Sequence, residues 1–236
     1  MSETEYLISL NIRLDPQGLR SEPYRSFYRS HGLTEESTEL LLGNGLHYLR
    51  MVSAPPRTFL RLIADDRLQI GRREFQVMTG AGHSPEQVML YSKDDNFILC
   101  GDQVLAKISP NVSVEAMDPE GDPLGAYLRS LRTLKRKLPE DVLVLPGHNL
   151  PFVGLRIRAD ELIAHHEARC MAILEACKAG AQTVAELVPV IFGRPIDDPH
   201  QLVFAFSEAL AHVNILIRSG RLRIAPAAQG LALEAA

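Results

Sequence analysis

Three stretches of this sequence share one format: an extended apolar run that ends in a glycine-containing turn bearing a side chain able to hold a metal ion. They are FQVMTGAGH, ending at His83, FILCGD, ending at Asp102, and VLVLPGH, ending at His148. Strand ends held by a rigid sheet can converge on one point although they are far apart in the chain, and flanking glycines let the backbone approach closely. Two imidazoles and a carboxylate are donors that a borderline cation such as zinc accepts. Singly each segment says little, because a lone histidine is more often a hydrogen-bonded core residue and Gly-Asp is a common turn. Together they require a sheet whose strand ends share an edge. Gly80 and Gly82 let the first strand end turn sharply, and Ser84 and Pro85 fix the exit of the chain.

The rest of the chain is organised around this sheet. Residues 1–55 carry apolar residues at helical spacing in TEYLISLNIRL, EPYRSFYRSHG and LTEESTELLLGNGLHYLRMV, with Thr34 as a helix start and Pro55-Pro56 as the stop. From Thr58 the runs TFLRLI, RLQI, REFQVMTG, VMLYS and FILCGD read as adjacent strands. A helix is expected over Pro123–Lys137, capped by Asp122, followed by a buried strand in DVLVLPGH. Further helices are expected at Leu155–Ala179, Thr183–Val190 and Pro199–Ser219, with Gly180 and Gly220 at helix ends, before a short strand in GRLRI. The fold class is α/β, with residues 1–155 forming one domain and 156–236 a helical, winged-helix-like module.

Composition excludes several functions. With 46% hydrophobic and 23% charged residues the chain is globular rather than disordered. A net charge of -4 gives no footprint for nucleic acid, and residues 151–236 hold eight Arg/Lys against nine Asp/Glu. Three cysteines without a Cys-x-x-Cys spacing argue for buried, reduced thiols. No uninterrupted apolar run approaches the ~18 residues that span a bilayer, and the first residues lack a basic start followed by an apolar stretch. A cytoplasmic protein with no membrane partner is expected.

GAGHSPEQ, GDQVL and LPGHN resemble the third, fourth and fifth motifs of the metallo-β-lactamase superfamily. The resemblance implies a four-layer αββα sandwich with a metal site, usually of two zinc ions, along one edge of the sheets. His83 would bind the first ion, Asp102 would bridge both, and His148 would bind the second. The segment from Arg158 to Ile224, with LIAHHEAR and ALAHVNILIRSGRLRI, is similar to the winged-helix extension of a subgroup that processes ester, thioester and phosphodiester substrates. The superfamily signature His-x-His-x-Asp-His is absent from the sequence, and the resemblance places it upstream of residues 1–55. The expectation is therefore an N-terminally truncated sandwich that holds one zinc or none and hydrolyses a small-molecule ester or thioester weakly or not at all. A dimer through the sheet surface left bare is expected with it. The alternative function is a noncatalytic interaction or regulatory remnant of the fold.

The remaining polar candidates read as structural. His165 and His166 precede Glu167, but position 170 is Cys, so the His-Glu-x-x-His pattern fails and the pair reads as helix surface packing on the hydrolase domain. His200, in DDPHQ, reads as part of a helix start capped by Asp198, and His212 as a core or interface residue. His31 and His47 lack ligand partners nearby in sequence. Lys107 and Asn111 belong to a loop that could face an anionic substrate, and RTLKRKL reads as a solvated basic face.

Overall fold

A computed structural model describes residues 1–226 and 230–236, with the side chains of all of these except 44–48, 199 and 226. His47 thus lies outside the described side chains. The chain clusters into two compact units, one of Met1–Ser9, Pro55–Val112 and Pro123–His165, the other of Leu10–Ala54, Ser113–Asp122 and His166–Ala236.

The first unit is built on a five-stranded sheet in sequence order: β1 (Arg67–Ile70), β2 (Arg73–Gly80), β3 (Gln87–Ser92), β4 (Phe97–Gly101) and β5 (Leu143–Pro146). β1 to β4 form an antiparallel meander, and β5 adds parallel to β4. A parallel neighbour demands a crossover, and α4 (Pro123–Lys137) lies within it. Strand periodicity divides the sheet into two faces. Met78, Met89, Tyr91, Ile98 and Val144 are buried on one, with Met78 opposite Met89 and Tyr91 opposite Ile98 opposite Val144. α4 packs on β2 and buries Leu124, Tyr127, Leu128, Leu131 and Leu134 at helical spacing.

One expected strand is missing. Thr58–Ile63 is irregular, with Leu60 and Ile63 exposed. Its backbone is engaged by the first residue instead: the Met1 ammonium donates to the Leu60 carbonyl at 3.1 Å, and the Leu62 N–H donates to the Met1 carbonyl at 3.1 Å. The apolar composition there signalled a strand without supplying a sheet edge for it.

The second unit is helical. α1 (Glu3–Leu14) enters it at Leu10, and it holds α2 (Glu22–Ser30), α3 (Glu35–Met51), α5 (Leu155–Ala179) from His166 onward, α6 (Val184–Phe192) and α7 (Pro199–Arg218). Caps set these boundaries. Thr34 accepts from the Ser37 N–H at 3.2 Å and Asp198 from the Gln201 N–H at 2.7 Å, while Thr183 and Glu186 form a reciprocal capping box. α7 packs on α3 and α6 and buries Phe206, Ala209, Leu210 and Val213. Residues His200–Arg218 are long and apolar enough to cross a membrane, at a mean hydropathy of 1.2, but 56% of that window is buried, the state of a core helix.

A left-handed glycine follows α7 at Gly220 as expected, and others follow α2 at Gly32 and α6 at Gly193, whereas Gly180 is not left-handed. The short basic strand is one arm of a hairpin, β6 (Leu222–Pro226) with β7 (Leu231–Ala235). The chain is mixed α/β with a helical C-terminal region, as expected, and among the described residues the main sheet is the single five-stranded one.

Candidate metal centre

β2 and β4 both run antiparallel to β3, and β5 runs parallel to β4, so the C-terminal ends of β2, β4 and β5 reach the same edge of the sheet. His83 lies three residues past β2, Asp102 directly after β4, and His148 two residues past β5. The sheet therefore gathers the three predicted residues. Nε2 of His83 is 3.5 Å from Asp102 Oδ2, and Nε2 of His148 is 3.4 Å from the same oxygen.

Two glycines make this convergence possible. Gly82 has φ +117°, and a Cβ there would lie 2.4 Å from Tyr127 Cβ and 2.8 Å from the Pro123 carbonyl oxygen, so the turn before His83 lies directly on the first turn of α4. At Gly147 a Cβ would lie 2.4 Å from Asp102 Oδ1, and its N–H donates to the Gly101 carbonyl at 2.8 Å. Removing the side chain lets the β5 turn pass beneath the carboxylate.

The protons argue for a cation. His83 Nδ1 is 2.9 Å from the Asn111 carbonyl, which can only accept, so Nδ1 carries a proton. In the neutral ring Nε2 then presents a lone pair to a carboxylate oxygen. This is the way an imidazole is oriented by a second partner when it ligates a metal. Asp102 Oδ1 is buried without a hydrogen-bond partner, a state that is costly for a carboxylate unless positive charge is supplied. The residues present fit a metal ion on these grounds.

Three donor atoms all within 4.8 Å of one another occur, among the described residues, at a different cluster and not here. Each imidazole is within reach of the same Asp102 oxygen, an arrangement suited to a bridging Asp102. Cys100, at the end of β4, adds no thiolate: burial pushes its thiol up to about 11.

A cleft of about 340 Å³ opens on His83 and Asp102, lined also by Met1, Ser2, Glu5 and Glu86. Its two other carboxylates are already engaged. Glu5 Oε1 accepts from the Glu86 N–H at 3.0 Å, and Glu86 Oε2 accepts from the Thr4 hydroxyl at 2.7 Å. Asn111 serves the site through its backbone carbonyl, while Lys107 is exposed. In RTLKRKL, Lys135 pairs with Asp160 and Lys137 with Asp65 at 3.0 Å, as on a solvated face.

The sequence reading missed the compact cluster, formed by His166, Glu208 and His212 in the second unit. His166 is not helix surface: it and His212 are fully buried. His166 Nδ1 is 3.1 Å from His212 Nε2, and His212 Nδ1 is 2.8 Å from the Glu208 carbonyl. Arg169 forms an ion pair with the Glu208 carboxylate, yet burial outweighs that pull and raises Glu208 to about 7. The available signal was Glu208 and His212 four residues apart on an apolar helix, hence on one face. His200 is exposed and stands edge-on to Phe204.

Residues 18–148 match the sequence profile of the metallo-β-lactamase superfamily, and residues 170–232 that of the metallo-β-lactamase-like C-terminal domain. A β-lactamase domain protein from Burkholderia ambifaria is 37% identical, with a TM-score of 0.85 over 100% of this chain and 64% of its own. A metallo-β-lactamase family protein from Thermus thermophilus is 29% identical, with a TM-score of 0.69 over 90% of this chain and 68% of its own. The probable metallo-hydrolase YqjP of Bacillus subtilis is 26% identical over 149 residues, 62% of this chain and 46% of that protein. The chain spans about half the length of the curated relatives it matches.

Proposed function

The chain belongs to the metallo-β-lactamase superfamily, and we propose that it carries part of a zinc-dependent hydrolase centre, with Asp102 bridging one metal position on His83 and a second on His148. The observation that carries this reading is Asp102 itself, with one oxygen facing both imidazoles and the other buried without a partner. When bound, zinc acts as a Lewis acid and lowers the pKa of a bound water to about 7. The chain's own residues do the positioning. The Asn111 carbonyl fixes the tautomer of His83, and Gly147 leaves room for the carboxylate. The cleft, at about 340 Å³, falls in the range of small-molecule sites and suits an ester or thioester.

Each metal position has one imidazole and a share of one carboxylate, whereas a catalytic zinc takes three protein ligands. The sheet-edge centre of this chain alone is therefore expected to hold one zinc or none, and to hydrolyse slowly. Zinc by mass spectrometry, and rates on nitrophenyl acetate, a thioester and a phosphodiester, test it: Asp102→Ala should lose the zinc held at the sheet edge and the rate that goes with it. A parent that holds zinc and hydrolyses, with metal content and rate unchanged in Asp102→Ala, would overturn the assignment, and a parent without zinc would leave the noncatalytic reading.

The same shortage of donors supports a second reading, a noncatalytic remnant that works through contacts. The face of the sheet opposite Met78 and Ile98 carries Phe75 and Val77, both buried, with Ile70, Leu99 and Leu143, which are exposed. Exposed apolar sheet surface favours self-association, so a homo-oligomer is expected, and a monomeric mass by light scattering would refute it. Three free, buried cysteines are in keeping with a cytoplasmic location. The helical C-terminal region then serves as the winged-helix-like extension, with no nucleic-acid or membrane partner.

A further inference from the structure

We propose that His166, Glu208 and His212 form a second metal site in this chain, separate from the edge of the sheet, which takes one zinc ion or a similar divalent cation. Each of the three offers a donor atom, and these atoms all lie within 4.8 Å of one another. Two donors on a tetrahedral zinc, at about 2.0–2.1 Å from the metal, stand roughly 3.3–3.4 Å apart. The 3.1 Å between His166 Nδ1 and His212 Nε2 is close to that spacing.

The donors are also oriented. His212 Nδ1 faces the Glu208 carbonyl at 2.8 Å, and a carbonyl only accepts, so the proton sits on Nδ1 and the Nε2 lone pair points at His166. Second partners of this kind fix the ligating nitrogen in known metal sites. Glu208 and His212 come from successive turns of α7, and His166 from α5, so an ion here would pin one helix to the other inside the second unit. Both imidazoles are fully buried, which shields the site from competing water.

Arg169 opposes the ion, because its guanidinium is already paired with Glu208. A carboxylate has lone pairs for two partners, and Arg169 has a second contact of its own, over the Phe192 ring at 4.5 Å. Its positive charge lowers affinity without occupying all the donors. Three protein ligands leave a fourth position of a tetrahedral ion for water or a small anion. The competing state is a plain hydrogen bond from His166 Nδ1–H to His212 Nε2.

The experiment uses the full chain with His83, Asp102 and His148 all changed to Ala, so that zinc at the sheet edge cannot contribute. Equilibrium dialysis followed by elemental analysis should give one zinc per chain. His166→Gln in that background should lower the affinity more than about 100-fold, the upper end of what outer-shell changes cost. Cobalt(II) gives a readout with the cluster intact: strong visible bands of a tetrahedral ion are expected. No zinc in the background variant, a weak octahedral cobalt spectrum, or unchanged affinity in a folded His166→Gln protein would each overturn the site and leave the hydrogen bond as the occupant. Because the background lacks the sheet-edge ligands, these results are independent of whether the hydrolase reading holds.

Discussion

Replacing Gly82 by alanine should destabilise the chain severely, and replacing Gly80, two residues earlier, should cost less. At Gly82 the new methyl would sit 2.4 Å from Tyr127 Cβ, 2.8 Å from Tyr127 Cα and 2.8 Å from the Pro123 carbonyl oxygen. Carbon atoms prefer ~3.5–4.0 Å, so α4 or the turn must shift by more than about 1 Å. These neighbours are backbone or backbone-proximal atoms of α4, and Tyr127 is fully buried, so no rotamer change relieves the clash. Overpacking of this kind costs ~1–3 kcal/mol. The backbone at φ +117° adds ~1–3 kcal/mol for a residue with a Cβ. The sum, ~2–6 kcal/mol, is a large part of the ~5–15 kcal/mol that holds a domain folded. With a urea m-value of about 2 kcal/mol/M, the midpoint should fall by ~1–3 M. At Gly80 the backbone is ordinary, and the methyl would meet the far ends of the buried Gln103 and Met89 side chains, at 2.7 and 3.0 Å, rather than the backbone of α4. A cost of ~1–3 kcal/mol, without the backbone contribution of Gly82, is expected there. Urea melts followed by circular dichroism measure both variants. If Gly82→Ala unfolds within ~0.5 kcal/mol of the parent, or Gly80→Ala costs more, then the packing of this turn on α4 is wrong.

Other outcomes follow from single contacts. Gly147→Ala would place a methyl 2.4 Å from Asp102 Oδ1 and should weaken zinc binding at the sheet edge by about 10–100-fold, read by dialysis, with a smaller loss counting against a bridging carboxylate. Burial, only partly offset by a hydrogen bond to the Phe27 carbonyl, holds His31 below its ordinary value of 6.5. The unfolded chain then binds this proton more readily. Stability from His31 is complete above pH 6.5 and is lost as pH falls below it, at no more than ~1.4 kcal/mol per pH unit; the difference between urea melts of the parent and His31→Gln isolates this slope. Thr183→Ala removes the side-chain half of the capping box on α6, while the backbone N–H at position 183 still donates to Glu186, and should cost ~1 kcal/mol, seen as a lower melting temperature. Burial pushes Cys100 and Cys170 up to about 11, so aromatic disulfide reagents should label them at neutral pH only after denaturant is added.

The strands and the metal edge were readable because their signals are local. Arg67–Ile70, Arg73–Gly80 and Phe97–Gly101 alternate or run apolar between turn residues, and α4 begins at its expected Pro123 and ends at Lys137. The same segments carry His83, Asp102 and His148 just past their ends, so finding the strands found the residues. Thr58–Ile63 failed for a reason outside itself: a strand requires a partner edge, and Met1 occupies its backbone. β7 was missed because LALEA, rich in alanine, has little strand propensity. It is a strand by virtue of its pairing with Leu222–Pro226 and the backbone exchange between Gln182 and Leu233.

The buried histidines show where a pattern search loses contact with chemistry. A His-Glu-x-x-His search examines one helix, and on α5 it fails at Cys170, which directs attention away from His166. The partners of His166 are on α7, 46 residues away in the case of His212. What the chain does display is a penalty: Glu208 and His212 interrupt an otherwise apolar face, and burying such groups is unfavourable unless they find partners. Arg169, four residues before Ile173 on the other helix, is equally out of place among Cys170, Ile173 and Leu174, all buried. Two helices that each carry misplaced polar residues at core positions are expected to place them against each other, since only mutual contact satisfies both. Matching such defects between helices, rather than matching ligand spacings within one, is the reading that joins His166 and Arg169 to Glu208 and His212.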